Sequence, residues 1–245
     1  MTTHDANPPF TGFRPEAIQF LADLAANNDR AWFQPRKADY ERLLKVPLAA
    51  LVAALAERFE ARGIPLLADP ARSPFRIYRD TRFAKDKSPY KTNVGASFPW
   101  IEHAAGATAL TAQERHGPGG YFHLEPGEIF VGGGTWHPEP ARLAAFRTAI
   151  VEDRARVHAA LDEPGFVAAF GAVEGDQLKR IPAGYAADDP DAAWLKLKDV
   201  VFGTRLADRD VASPDLPDLL ADAFVAAMPV MRFIASLDAQ PAATA

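Results

Sequence analysis

The spacing of apolar residues in the first quarter of the chain is helical. After Pro15, apolar residues recur every three or four positions, which predicts a helix with that proline in its first turn. A second helical region starts at a cap formed by Asn28 or Asp29 and ends near Gly63. Pro47 lies inside this region and lacks a backbone N–H, so it is expected to kink or restart the helix.

From residue 74 the apolar period changes to two, which indicates strands. The stretch "PFRIYRDTRF" (74–83) predicts a first strand, and "TNVGASFPW" (92–100) predicts a second. The stretch "GGYFHLEPGEIFVGGG" (119–134) predicts a hairpin whose turn is Pro126-Gly127.

Helical spacing returns in the second half of the chain. A long helix is expected over about 138–161, followed by short helices near 164–171 and around 190–198. The stretch "DVVFGTRLA" (199–207) predicts a further strand, and a final helix is expected over about 215–237.

This order of elements sets the expected fold class. Helices, then strands, then helices favour an α+β fold in which a central antiparallel sheet is flanked by N-terminal and C-terminal helices. We expect one domain over residues 10–238, a flexible lead over 1–9 and a disordered tail over 239–245.

The composition indicates a soluble protein of the cytoplasm. The 245 residues are 48% hydrophobic and 24% charged, and they include no cysteine, which excludes disulfides and thiolate ligands. The N-terminus lacks the features of a secretory signal. The longest run without charge or strong polarity, residues 46–56, is far shorter than the roughly 18 residues that span a bilayer, so we expect no membrane contact.

Positive charge is concentrated in one short stretch, "RIYRDTRFAKDKSPYK" (76–91), called here the basic segment. It holds six basic and two acidic side chains, a net charge of +4. The rest of the chain holds 21 basic and 30 acidic side chains, a net charge of −9. A nucleic-acid-binding protein usually has a broad basic face, so a small anionic ligand is the more fitting partner and nucleic acid is unlikely.

The expected site is a basic cleft that binds a phosphate- or carboxylate-bearing molecule. Arginine forks grip such groups with two hydrogen bonds, and Asp80 is expected to hold the arginines on its face of the strand in fixed rotamers. The predicted ligand-binding residues of the segment are Arg76, Arg79, Arg82, Lys87 and Tyr90. Two alternatives stay open: the cations form a structural ion-pair network, or the segment is a non-catalytic interaction module that docks an acidic partner or a second copy.

The motif Arg76-x-x-Arg79-Asp80-x-Arg82-Phe83-x-x-x-Lys87-x-x-Tyr90 resembles the signature of the bacterial family catalogued as domain of unknown function 2461. The similarity covers most of the chain. It includes "FTGFRPEAIQFLADLAANNDRAWF" (10–33), "GGYFHLEPGEIFVGGGTW" (119–136) and "IPAGYAADDP" (181–190). The family has no assigned activity, so the resemblance implies membership and no function.

Three consecutive glycines, Gly132, Gly133 and Gly134, precede the predicted long helix. Backbone N–H groups of a glycine-rich turn at a helix N-terminus can cradle an anion, so these residues are a second candidate wall of the site. Glycines at the end of a hairpin also mark bulges or close packing, and that interpretation stays open. The stretch matches neither the P-loop nor the dinucleotide fingerprint, so no cofactor is predicted.

Proton transfer and metal binding have weaker candidates. His123 and Asp80 are the candidate catalytic residues for proton transfer. His123 and Glu125 lie two apart on a predicted strand and His137 follows the hairpin, so these three are an alternative metal site. The main expectation is no metal, with His123 hydrogen-bonded in the sheet. Whether the protein is an enzyme, and its oligomeric state, are not predicted.

Overall fold

Helices stand at both ends of the chain, and the strands of one antiparallel sheet lie between them. The computed structural model describes residues 8–82, 84–101 and 117–237. The predicted tail over 239–245 and most of the predicted lead over 1–9 lie outside these residues.

The N-terminal helices are α1 Pro15–Ala26, α2 Arg30–Phe33, α3 Lys37–Tyr40 and α4 Val46–Arg62. The strands are β1 Val94–Pro99, β2 Gly119–Glu125, β3 Glu128–Thr135 and β4 Val200–Arg205, hydrogen-bonded in the order β1-β2-β3-β4. The other helices are α5 Pro140–Glu152, α6 Arg154–Leu161, α7 Pro164–Phe170, α8 Ala192–Leu195, α9 Asp208–Val211 and α10 Leu216–Ser236. The α+β class with an antiparallel sheet is confirmed.

The chain divides into two compact units. The first comprises Met1–Phe98, Tyr121–Val131 and Arg205–Asp222, and the second comprises Pro99–Gly120, Gly132–Thr204 and Ala223–Ala245. Each unit has its own buried aromatic side chains: Phe33, Tyr90, Phe98 and Phe122 in the first, and Phe146, Phe166, Phe202 and Phe233 in the second. The single domain expected over 10–238 stays a prediction.

The helices of the first unit form where the sequence indicates. Pro15 opens α1, and the Asp29 side chain caps α2 by accepting a hydrogen bond from the Trp32 amide at 2.9 Å. A π turn over Glu41–Lys45 precedes Pro47, which lies in the first turn of α4. The wider turn accommodates a residue that cannot donate the helical hydrogen bond, so the predicted restart at this proline is confirmed.

The strand predicted over 74–83 is wrong over residues 74–82, and Phe83 lies outside the described residues. Residues 74–82 form only two isolated bridges, Pro74 with Ala96 and Tyr78 with Tyr90. The alternating pattern is overridden by a local turn, because the Asp80 carboxylate accepts a hydrogen bond from the Arg82 amide at 3.1 Å. Such side-chain bonds compete with a strand ladder for the backbone donors.

The long helix predicted over 138–161 is divided. Helix α5 ends at Glu152 and α6 begins at Arg154, because Asp153 adopts a non-helical backbone with φ −135° and ψ 49°. The strands predicted at 92–100 and 199–207, the hairpin at 119–134 and the final helix at 215–237 are confirmed as β1, β4, the β2–β3 hairpin and α10.

Among the described helices, α10 is long and apolar enough to cross a membrane by length and composition. The core helix of a soluble protein passes the same test. Its residues Leu220, Phe224, Val230 and Met231 are fully buried. The helix is therefore consistent with a soluble protein, while the cytoplasmic location stays a prediction.

The basic segment is anchored at its C-terminal end by Asn28. The Asn28 side-chain amide donates to the Tyr90 carbonyl at 2.9 Å, and its oxygen accepts from the Tyr90 N–H at 3.1 Å. The Tyr90 ring is 1% exposed and stacks on Phe33 with centroids 4.1 Å apart. A side chain from the α1–α2 connection thus pairs with the segment as a neighbouring strand would.

Replacing Asn28 with Ala should lower the free energy of unfolding by about 2 kcal/mol, because it leaves buried backbone groups of Tyr90 without partners. Urea unfolding measures this loss. Asn27→Ala is the matched control, since Asn27 makes one exposed side-chain bond to the Asp23 carbonyl, and its cost should stay within about 0.5 kcal/mol. Equal effects of the two substitutions would contradict the anchoring role.

Candidate functional site

Three of the predicted ligand-binding cations of the basic segment are bound within the segment itself. Arg79 forms an ion pair with Asp86 and reaches the Ser88 carbonyl at 3.3 Å. The Arg82 guanidinium grips the Asp80 carboxylate, with Nη2 2.6 Å from Oδ2 and Nε 3.0 Å from Oδ1. The Lys87 ammonium donates to the Thr81 carbonyl at 2.8 Å.

The two acids of the segment are correspondingly stabilised in their charged forms. Hydrogen bonding from the Arg82 side chain lowers the pKa of Asp80, and the nearby charge of Arg76 adds a smaller effect. Hydrogen bonds from the Ser88 hydroxyl and amide, and then from Arg79, lower the pKa of Asp86. Asp80, a predicted candidate for proton transfer, is thus an ionised partner of Arg82.

Arg76 and Lys91 have a different environment. Among the described residues, no ion pair joins either cation to a carboxylate. Arg76 is exposed, whereas Lys91 is partly buried with its Nζ 4.8 Å from the centre of the Phe75 ring. Burial lowers the pKa of Lys91, and the charge of Arg76 lowers it further. The positive charges of Arg76 and Lys91, the first and last residues of the basic segment, therefore repel each other.

A polar row on β2 adjoins this pair of cations through Phe75. The Phe75 ring lies 5.9 Å from the ring of Tyr121, measured between centroids. Alternate residues of a strand share a face, which places Tyr121, His123 and Glu125 together. The Tyr121 hydroxyl is 2.9 Å from His123 Nδ1, and the Thr92 hydroxyl donates to Glu125 Oε1 at 2.5 Å.

The first residue of this row is a weak acid. Burial raises the pKa of Tyr121 to about 12, and the negative charges of Glu125 and Glu128 add to the shift. The phenol therefore stays protonated at neutral pH. His123, the other predicted candidate for proton transfer, is 8% exposed and hydrogen-bonded on β2, as expected for a sheet residue.

Tyr90 supports the segment from the core. Its ring contacts Tyr78 as well as Phe33, with 5.5 Å between the centroids of the two tyrosines. A ring that is 1% exposed positions the neighbouring backbone rather than presenting a face to solvent. Lys91 follows it directly in the chain, so the anchor at Tyr90 also fixes the start of the Lys91 side chain.

The three glycines lie inside β3 and not in a turn before a helix. A Cβ at Gly132 would stand 2.2 Å from the Phe202 carbonyl oxygen, and one at Gly134 would stand 2.1 Å from the Val200 oxygen. Gly134 also has a left-handed φ of +106°. Close approach of β4 thus requires glycine here, and an anion cradle at Gly132, Gly133 and Gly134 stays a prediction.

The residues of the alternative metal site have distinct partners. His123 Nε2 lies 3.4 Å from Glu125 Oε2, and the third residue that brings a ligand atom within 4.8 Å of both is Glu128. His137 has a φ of +49° and bonds to the buried Asp199, with its amide 2.7 Å and its Nδ1 3.2 Å from Asp199 Oδ1.

Sequence reasoning did not include Tyr121, Thr92 or Glu128 among the site residues, and it placed Lys91 in the basic segment but outside the predicted ligand-binding set. The alternation of the predicted strand could have identified Tyr121, because it precedes His123 by two positions and so shares its face. Thr92 and Glu128 required knowledge of which residues lie next to each other in the folded chain, which the alternation of a single strand does not supply.

Comparison with known proteins identifies the family. The family described as "Conserved hypothetical protein (DUF2461)" has a model that matches residues 16–233. The chain belongs to this family. No curated protein and no solved structure matches it.

The DUF2461 match confirms the resemblance that the basic motif suggested. The matched range contains the whole basic segment and the β2–β3 hairpin, so both are parts of the family's shared region. Membership in DUF2461 adds no activity, substrate or cofactor.

Gly132→Ala should destabilise the protein by more than about 3 kcal/mol, because the new methyl group meets backbone atoms of Phe202 and Gly203 that have no rotamer to change. Thermal unfolding checks this loss. Gly63→Asn is the control: Gly63 has a φ of +62° with open space around it, and asparagine tolerates that backbone at a cost under about 1 kcal/mol. A Gly132→Ala protein as stable as the control would show that β4 does not require the glycine.

Proposed function

We propose that the protein binds a small anion carrying a phosphate or carboxylate group at the basic segment, with Arg76 and Lys91 as its direct contacts. The observation that carries the proposal is the pair of like charges without a carboxylate partner among the described residues. An anion placed against both would remove their mutual repulsion and satisfy their hydrogen-bond donors.

The two cations have complementary roles. The exposed guanidinium of Arg76 offers a planar fork for two parallel hydrogen bonds to the anion. Lys91 offers a single charge that burial has already stripped of part of its water, so the desolvation cost of binding is reduced. The Phe75 ring beneath the Lys91 ammonium restricts its motion.

The rest of the segment supports this pair. Arg79, Arg82 and Lys87 are held by local bonds, and their charges add to the positive potential at longer range. If a reaction follows binding, catalysis would be mainly electrostatic, with the guanidinium of Arg76 stabilising charge that develops on phosphoryl or carboxyl oxygens. The Tyr121 hydroxyl would then be the nearby proton-bearing donor.

Calorimetric titration with inorganic phosphate and with citrate, in buffer containing EDTA, tests the proposal. Arg76→Ala should raise the Kd roughly tenfold to a hundredfold, since a hydrogen bond to a charged group contributes about 1.5–3 kcal/mol. Its unfolding free energy should change by less than about 0.5 kcal/mol because the side chain is exposed.

The matched control is Arg42→Ala, which removes one positive charge of the same unit from an arginine paired with Asp39. It should leave the Kd unchanged within about twofold. An equal loss in the two variants would mean that only the net charge matters, and full binding by the Arg76 variant would refute the proposed contact.

A second candidate is the interaction module, and exposed aromatic side chains in and next to the basic segment favour it. Phe75 is 42% exposed and Tyr78 is 46% exposed, both beside arginines. Aromatic and arginine side chains are enriched at the centres of protein interfaces. Light scattering should then show an apparent mass above 26.6 kDa at low ionic strength that falls to the monomer value at high salt. A constant monomer mass would rule out docking to a second copy.

A further inference from the structure

We propose a divalent metal site at the β2–β3 turn, with His123, Glu125 and Glu128 as the protein ligands. Each residue offers one ligand atom, and the three atoms lie within 4.8 Å of one another. The site is separate in chemistry from the anion contacts at Arg76 and Lys91, and it does not depend on them.

The hairpin brings the three side chains together. His123 and Glu125 are two apart on β2 and so share a face. The tight turn contains Gly127 with a φ of +78°, which returns the chain so that Glu128 opens β3 directly after the turn. Two carboxylates thus flank a two-residue turn on neighbouring strands.

These carboxylates lack a cationic partner within the described residues. Neither Glu125 nor Glu128 forms an ion pair with a lysine or arginine there. Arg205 is directed at the turn, but its guanidinium donates to the Gly127 carbonyl at 3.2 Å. Like charges that face each other across a hairpin are destabilising, and a divalent cation would convert that repulsion into shared coordination.

Supporting hydrogen bonds orient the ligands as a metal site requires. When His123 carries its proton on Nδ1, it donates to the Tyr121 oxygen and leaves Nε2 for the metal, while Thr92 occupies Glu125 Oε1 and leaves Oε2. The His123 ring also stacks on Phe130, with centroids 4.8 Å apart. Such outer bonds hold metal ligands in position in known sites.

The distance between the two proposed ligand atoms of His123 and Glu125 also fits a metal site. His123 Nε2 and Glu125 Oε2 are 3.4 Å apart. Two ligands each about 2.1 Å from a tetrahedral ion are separated by about 3.4 Å. The same distance is long for a hydrogen bond between them.

The donor set selects the class of ion. One imidazole nitrogen and two carboxylate oxygens, without sulfur, suit a first-row ion such as Zn²⁺ or Mn²⁺ better than Mg²⁺, which prefers oxygen alone. Glu128 is exposed, so positions not filled by the protein are open to water or to a ligand.

Titration of the EDTA-treated, dialysed full-length protein with Zn²⁺ and with Mn²⁺ tests the site. The wild-type protein should bind one equivalent of at least one of these ions and should unfold at a higher temperature when loaded. Glu128→Gln should weaken binding by at least tenfold and, because the side chain is exposed, should leave the unfolding temperature of the metal-free protein unchanged.

Glu60→Gln is the control, because it removes one exposed carboxylate of the same unit away from the hairpin. It should bind the ion as the wild type does. Absence of saturable binding by the wild-type protein would overturn the proposal, and so would equal affinity of the Glu128 and Glu60 variants. Neither outcome affects the phosphate titration, because that titration is done in EDTA without the metal ion.

Discussion

The paired hydrogen bonds between Asn28 and the Tyr90 backbone are the constraint on which the basic segment depends. A stretch of sixteen residues with a net charge of +4 has little reason to keep one conformation, because its cations repel one another. The Asn28 side chain satisfies both backbone groups of Tyr90, and the Phe33 ring covers its phenol. One end of the segment is thereby fixed to the helical part of the first unit, directly before Lys91.

Local turns within the basic segment then determine which of its cations can contact an anion. Asp80 and Asp86 each bind a backbone amide and an arginine, so Arg82 and Arg79 are occupied close to their own position in the chain. Arg76 and Lys91 precede and follow these turns. Among the described residues neither forms an ion pair with Asp80 or Asp86, although the charge of Arg76 lowers the pKa of Asp80. The proposed anion binding therefore depends on which of the six cations form ion pairs with the two acids. The number of cations alone does not determine it.

Much of the fold was predictable because its signals are local. Several of these signals act within a few residues, and the structure forms where they predict. They are the caps at Asp29 and Gly63, the proline at position 47 and the turn at Pro126-Gly127. The strand predicted at 74–83 did not form for a related reason: the side-chain bond of Asp80 to the Arg82 amide is also local, and it outweighed the alternation of apolar residues.

The candidate site was predictable as a region and not as a set of contacts. The sequence singles out the basic segment by its charge, but the depressed pKa of Lys91 follows from burial near Phe75. The joining of Glu128 to His123 and Glu125 depends on the geometry of a turn. Neither fact follows from residue spacing.

Anomalous diffraction from crystals soaked in selenate would show whether Arg76 and Lys91 bind an anion, because the selenium signal locates a small oxyanion directly. We expect a peak within hydrogen-bond distance of both the Arg76 guanidinium and the Lys91 ammonium. An Arg76 side chain bound to a carboxylate of its own chain, with selenate absent from this position, would contradict it.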